Sequence, residues 1–232
     1  MIKLSDRLQL IADQIETGET MADIGTDHGF LPLSLIERGV CPKAILTDIS
    51  GPSLNKAKFS AAESGIEQGV EFREGNGLDV LRYGEVDAVV IAGMGGQLIS
   101  EILGKDLMHT CSFRKYIFQP RSQTGLLRWW LESKGFAITK NRLVREGKFL
   151  CEVIVALAPK TLQNVVLEAE SPHWDLPEDT GSEEPGLVQD FAERKIEKEN
   201  KRIRGLEQAR TPDPEAVRIA EERIRYFRRF IK

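Results

Sequence analysis

The sequence predicts an α/β fold: a parallel sheet with helices on both faces, closed by an antiparallel strand hairpin and followed by a C-terminal helical hairpin. Three observations carry this. Between residues 20 and 135, strand-like runs alternate with helix-period segments five times, the pattern of repeated strand–helix–strand units. The run EVDAVVIAG at 85–93 is nearly continuously apolar, as expected for a strand covered on both faces. Two alternating segments then meet at Glu146-Gly147, which reads as a hairpin.

Taken in order, residues 4–17 carry Leu4, Leu8, Ile11 and Ile15 at helical spacing and read as an amphipathic helix. TMADIG (20–25) is strand-like, and FLPLSLIERG follows as a helix with Pro32 in its first turn. KAILTDIS (43–50) is the second strand, and the helix after it has Pro52 near its start and Gly65 as its stop. VEFREGN (70–76) alternates like a strand. GQLISEIL after the fourth strand is helical, KYIFQP is the fifth strand, and TGLLRWWLESKG is helical with Trp129 and Trp130 read as core or interface.

Composition changes after Pro159, and SPHWDLPEDTGSEEPG (171–186) is rich in Pro, Gly and acids, a loop or linker. Three units follow: a domain over 1–158, a linker over 159–185 and a helical hairpin over 186–232 split by Thr211–Pro214. In its second helix Val217, Ala220, Ile224, Phe227 and Ile231 step as a coiled-coil seam. The first has a looser stripe of Ala192, Ile196, Ile203 and Leu206. From Val188 onward there are 13 Lys and Arg against 9 Asp and Glu. That excess suits either a solvated helix face or one turned toward RNA, and the hairpin can equally serve packing or a second protomer.

With 41% hydrophobic and 29% charged residues, the 232-residue chain reads as a soluble globular protein. It has no apolar run of the roughly 18 residues needed to span a membrane, and MIKLSDRLQL lacks the apolar core of a signal peptide. Cys41, Cys111 and Cys151 fit neither a disulfide framework nor zinc spacing, which points to free thiols in the cytoplasm and to no metal. A net charge of −4 does not advertise nucleic-acid binding, although local patches can supply it.

The stretch ADIGTDHGFLP at 22–32 resembles a nucleotide-binding turn with an acid where a dinucleotide site needs glycine. Gly25 and Gly29 permit a tight strand-to-helix turn whose helix start can meet a ligand. Asp27 stands where backbone would approach a pyrophosphate. A carboxylate there repels phosphate and attracts an ammonium group. S-adenosyl-L-methionine (SAM) carries no phosphate but has an α-ammonium and a sulfonium, so the substitution argues against NAD and for SAM. An aspartate at a turn also suits simple helix capping.

Asp48 lies 25 positions after Asp23, close to the ~20-residue offset of a ribose-binding acid. Asn76 and Gly77 follow the third strand where an adenine would sit, with Asp79 nearby, or they form an ordinary turn. Gly93, Gly95 and Gly96 leave backbone bare at the carboxyl edge of the sheet, where open α/β sheets bind ligands. Met94 can pack on cofactor or base, or fill core. The Asn-Pro-Pro-aromatic element common in enzymes acting on adenine N6 is absent here, which counts against exocyclic-amine chemistry. His28, beside the turn, is a candidate catalytic residue or a structural histidine. His109 and His173 are given no role. Gln119 and Pro120 form a polar element after the fifth strand, and Arg121 can reach phosphate.

In this order and spacing, LSDRLQLIA, ADIGTDHGFLP, LTDIS, EGNGLDVL, IAGMGGQLI and FQPRSQTGLLRWWL resemble the bacterial tRNA (adenine(22)-N1)-methyltransferase family from about Leu4 to Ala158. The resemblance implies a Rossmann-like class I methyltransferase sheet, whose terminal hairpin most dehydrogenases lack, and a helical extension that helps hold tRNA. It implies SAM contacts at Asp23, Gly25, Asp27, Gly29, Asp48, Asn76, Gly77, Gly93 and Met94. It places His28, Gln119 and Arg7 near the target base, with Met94 beside them. There are two departures: Arg121 stands where the family often has Asn after Gln-Pro, and Cys151 stands where it usually has Tyr before Glu152. The activity implied is N1-methylation of adenosine 22 in tRNA by a monomer or weak dimer. A methyltransferase acting on another RNA, a small molecule or a protein, and a non-catalytic RNA-binding protein on this fold, are the alternatives; a dehydrogenase is opposed by the glycine pattern.

Overall fold

The computed structural model describes residues 1–209 and 213–231. The helices are α1 (Asp6–Ala12), α2 (Phe30–Glu37), α3 (Gly51–Glu63), α4 (Gly96–Gly104), α5 (Leu107–Thr110), α6 (Thr124–Ser133), α7 (Leu187–Glu207) and α8 (Pro214–Phe227). The strands are β1 (Met21–Ile24), β2 (Ala44–Asp48), β3 (Val70–Glu74), β4 (Ala88–Ala92), β5 (Lys115–Gln119), β6 (Ala137–Glu146) and β7 (Phe149–Leu157). They form one seven-stranded sheet in the order β3-β2-β1-β4-β5-β7-β6. The first five strands run parallel, and β7 and β6 close the sheet antiparallel. This is the α/β arrangement expected from the sequence, with the helical hairpin appended.

The near-continuous apolar character of β4 has the expected cause. Val89 and Ile91 join a core with Tyr116, Phe118, Leu127 and Leu131 on one face, while Ala88 and Val90 join Met21, Leu33, Leu46 and Ile117 on the other. Each fully buried Val, Leu, Ile, Phe or Met side chain among these stabilises the fold by about 1.5–3 kcal/mol. Because β1 to β5 are parallel, the loops after them collect at one edge of the sheet. The hairpin turn between β6 and β7 arrives at that same edge, since β7 starts alongside the end of β5 and runs back the other way.

Some elements differ from their sequence-based outlines. The N-terminal helix is short: Ser5 caps it, and after Ala12 the chain tightens into i→i+3 turns, with Gln14 N–H donating to Ile11 and Ile15 N–H to Ala12. Ile11 and Ile15 are buried all the same, so the spacing reported the core face correctly but not the helix length. The seam of α8 holds through Phe227, and a 3-10 turn (Arg228–Phe230) then carries Ile231 into the same cluster. Thr211 and Pro212 of the expected helix break lie outside the described residues.

Within 159–185 a 3-10 turn spans Pro172–Trp174, and Trp174 and Leu176 are buried. Leu176 packs with Leu143 of β6, Leu187 and Phe191 of α7, and Phe227 of α8. Among the described residues no helix is long and apolar enough to cross a membrane, and no group of three His, Cys, Asp or Glu side chains is placed to hold a metal ion.

Candidate active site

The turn after β1 adopts the backbone of a glycine loop without using glycine throughout. Gly25 (φ +78°), Asp27 (φ +47°) and Gly29 (φ +71°) are all left-handed. Short polar side chains tolerate this region better than bulky ones, so an acid can occupy a position shaped for glycine. A side chain at Gly25 would run into the methyl group of Met94, which arrives from the loop after β4. A Cβ at Gly29 would lie 2.7 Å from Leu46 Cδ2. These glycines therefore bring the β1 turn close to α3 and to the β4 loop.

Asp23, next to last in β1, is almost fully buried and accepts a hydrogen bond from Thr26 Oγ1 at 2.7 Å. Burial pushes its carboxyl up to about 6, helped by the charge of Asp48 and opposed by Thr26 and Arg7. Asp48, at the end of β2, is half-buried, and its Oδ1 accepts from Ser50 N–H at 2.8 Å. The next residue, Ile49, is 68% exposed beside it, an apolar surface at the same strand end.

Asp27 is exposed and pairs with Lys56 of α3 at 2.8 Å. His28 stands 3.9 Å from the Asp27 carboxylate and stacks on Phe30, with ring centroids 5.2 Å apart. Asn76 is exposed at the start of a 3-10 turn, Gly77 (φ +56°) faces Ile102, and Asp79 pairs with Lys105.

The β4 and β5 loops are laddered together. Gly93 N–H donates to Gln119 O at 2.9 Å, Arg121 N–H to Met94 O at 2.7 Å, and Gly96 N–H to Ser122 O at 2.8 Å. Gly96 has no room for a side chain against the backbone of Gln123. Immediately beyond lies a cavity of about 460 Å³ lined by Arg7, Gln119, Pro120, Arg121, Glu146 and Cys151, with Phe149 and Leu150 at the hairpin tip. Its volume is in the ~300–1,000 Å³ range of small-ligand sites. Arg7 NH1 donates to Gln119 Oε1 at 3.0 Å and Arg7 Nε to Glu146 Oε1 at 3.3 Å.

Burial raises the Glu146 carboxyl, but Ser5 and Arg7 outweigh it and hold the group below the usual carboxylate range. Burial and the Glu146 charge push the Cys151 thiol up, so the group facing the cavity is a neutral thiol rather than a nucleophilic thiolate.

The structure thus joins Gly25 to Met94 at the turn, and Arg7, Gln119 and Arg121 at the cavity. His28 is outside the residues that line this cavity. The sequence reading did not find Glu146, Phe149 or Leu150 as site residues, and it noted Cys151 only as a departure from a pattern. The available signal was the Glu146-Gly147 turn: a hairpin antiparallel to the last parallel strand must place its tip at the ligand edge.

The neighbouring strands β1 and β2 bring three carboxylates to their carboxyl ends, Asp23 buried, Asp27 exposed and Asp48 half-buried, a set that suits a cationic ligand better than a pyrophosphate. The model of the methyltransferase domain family matches residues 4–154. The chain belongs to that family. This methyltransferase is 38% identical over 159 residues to the tRNA (adenine(22)-N(1))-methyltransferase of Bacillus subtilis, covering 68% of this chain and 66% of that protein, just under two thirds of its length. The crystal structure of the B. subtilis m1A22 tRNA methyltransferase TrmK covers 100% of both chains at 26% identity, with a TM-score of 0.79. A Streptococcus pneumoniae protein solved in complex with SAM matches at 25% identity and a TM-score of 0.78, over 99% of this chain and 100% of that one. The family resemblance read from the motifs is borne out, and the structural likeness extends through the helical hairpin.

Proposed function

We propose that this methyltransferase transfers a methyl group from SAM to N1 of adenosine 22 in tRNA. The observation that supports this most is the shared wall between the glycine turn and the cavity: the loop that carries Met94 over Gly25 is hydrogen-bonded to the loop that carries Gln119 and Arg121 into the cavity. A donor seated at the turn and a base seated in the cavity would meet where these two loops join. The relatives named for this reaction point the same way.

When bound, SAM would supply the electrophilic methyl group: the N1–CH3 bond forms as the S–CH3 bond breaks, S-adenosylhomocysteine leaves, and the positive charge passes to the methylated adenine. Asp48 would accept the ribose hydroxyls, Asp27 and the buried Asp23 would counter the cofactor's positive charge, and Asn76 and Gly77 would border the adenine. Gly93 lets backbone approach closely. On the other side, Gln119 and Arg7 hold the target base, Arg121 reaches a phosphate, and His28 borders the mouth of the turn. Adenine N1 already has a lone pair in the ring plane, so no side chain has to remove a proton to create the nucleophile. Alignment supplies most of the barrier reduction. N1 lies on the Watson–Crick edge, so the adenosine must leave its stack to enter the cavity. The helical hairpin, with its local basic excess, extends the surface available to tRNA, and the setting is the cytoplasm.

The direct test uses labelled SAM and two unmodified transcripts, one with adenine and one with guanine at position 22. Incorporation only into the first, with a primer-extension stop at that position, is the expected result. Incorporation into both, or into neither while SAM binds, would overturn the assignment.

The buried carboxyl of Asp23 adds a pH prediction. With a folded value of about 6, it is mostly ionised at pH 7 and mostly protonated at pH 5. The cationic cofactor favours the ionised form, so the Kd for SAM should rise about tenfold as pH falls from 7 to 5. In the unliganded protein the sign is opposite: burial of the charge is a penalty that is full above about pH 6 and relieved as pH falls toward the ordinary carboxylate value. Calorimetric titration of wild type and Asp23→Asn checks this, because the variant should bind more weakly at pH 7 and lose the slope. An unchanged slope would assign it to another group.

A further inference from the structure

Resting on the tRNA-methyltransferase reading, we propose that Glu146 is a positioning residue that fixes the orientation of the Gln119 amide through Arg7, so that a hydrogen-bond donor meets the flipped base.

Glu146 is the last residue of β6, at the hairpin tip, far in sequence from the groups it holds. Its Oε2 accepts from Ser5 Oγ at 2.7 Å and from Arg7 backbone N–H at 3.2 Å, and its Oε1 accepts from Arg7 Nε at 3.3 Å. The carboxylate thus grips both the start of α1 and the side chain that leaves it. The guanidinium, turned in this way, donates through NH1 to Gln119 Oε1 at 3.0 Å. Gln119 is 4% exposed, and its Nε2 donates to the neighbouring Pro120 carbonyl at 3.2 Å.

A primary amide can present either oxygen or NH2, and the network around it decides which. Arginine offers donors only. Contact with Arg7 therefore commits the amide oxygen to Arg7 and leaves the NH2 end for the base, with one hydrogen on Pro120 and the other free. That end suits an acceptor nitrogen of the purine away from N1, and N1 keeps its lone pair for the methyl group. A reversed amide would offer an acceptor instead and seat the ring differently. The Glu146 side chain is 34% exposed, and an ion pair at that exposure contributes little to stability. Its value to the molecule lies in the direction it imposes on Arg7.

The test is Glu146→Gln in the full chain, assayed on the adenine-22 transcript. The glutamine keeps the shape and can still accept from Ser5, but its NH2 opposes Arg7 Nε and the charge is gone. The expected result is a kcat at least about tenfold lower, with the Kd for SAM, the KM for tRNA and the Tm nearly unchanged. Glu146→Asp, which keeps the charge on a shorter arm, should recover part of the loss. In a Gln119→Ala background the Glu146→Gln change should have little further effect, because it acts through that amide.

A kcat within about twofold of wild type, or effects of the two changes that multiply, would overturn the proposal. So would equal losses of SAM binding and Tm, which would make Glu146 a folding residue. If wild type itself fails to methylate the transcript, the functional reading falls instead, and the two failures are distinguishable in one assay.

Discussion

Replacing Arg128 with methionine should lower the free energy of unfolding by about 3–5 kcal/mol, the usual cost of leaving a buried ionic partner alone. Arg128 sits on α6 and is 1% exposed, the largest side chain among those fully buried. Its Nε donates to Asn141 Oδ1 at 2.8 Å, NH1 to Trp174 O at 2.9 Å, and NH2 to Glu152 Oε2 at 2.8 Å. Asn141 passes the link on to Asp179 at 3.1 Å. One guanidinium therefore ties α6 to both strands of the terminal hairpin and to the segment after it.

That segment also carries Asp175, which pairs with Lys195 of α7 at 3.5 Å and with Arg223 of α8. Methionine would fill much of the space but leave the Glu152 carboxylate, the Asn141 oxygen and a carbonyl without partners. The midpoint of urea unfolding would report the loss. Arg128→Met combined with Glu152→Gln should recover part of it, since the orphaned charge is then gone. A loss below about 1 kcal/mol would mean that water or a rearranged segment replaces the arginine.

Asp48→Ala should weaken SAM binding about 100-fold while leaving the fold intact. Two charge-assisted hydrogen bonds to the ribose, at about 1.5 kcal/mol or more each, account for a change of that size. The carboxylate ends β2 at the ligand edge, and Ser50 N–H holds its Oδ1, so it is oriented before any ligand arrives. Losing that bond should cost the apo protein only about 1 kcal/mol. Asp48→Asn, which keeps one acceptor, should fall between. Calorimetry with SAM and a thermal melt of the same samples separate the two effects. A change in Kd below about threefold would show that the ribose is held by other groups and remove Asp48 from the site.

The cofactor side of the candidate site was legible in the chain because its information is local. Asp23, Gly25, Asp27 and Gly29 lie within one strand–turn–helix, and the position of each in that turn follows from the motif. Asp48, Asn76 and Gly93 follow from the same rule applied to the next parallel strands, each contributing a residue at or just beyond its carboxyl end. The target side was only partly legible. Gln119 and Arg121 obey that rule, but Glu146 and Phe149 come from a hairpin whose tip reaches the site by antiparallel return, and no spacing in the sequence announces which residue will face inward. Arg7 entered through resemblance, and the structure supplies its physical role as the link between Glu146 and Gln119.

By itself the sequence determined the order of strands and helices, the ligand edge of the sheet, the kind of cofactor the turn suits and the seam along the last helix. These follow from periodicity, chain direction and the chemistry of residues close together in the chain. The tertiary structure alone decided the rest. It set Met94 over Gly25, stacked His28 on Phe30 outside the cavity, and locked 171–180 to α6 and to the helical hairpin through Arg128 and Asp175. The physical reason is that a strand or turn is specified by neighbours a few residues away. A buried guanidinium or an oriented amide is specified by partners dozens of residues distant, brought together only when the sheet closes.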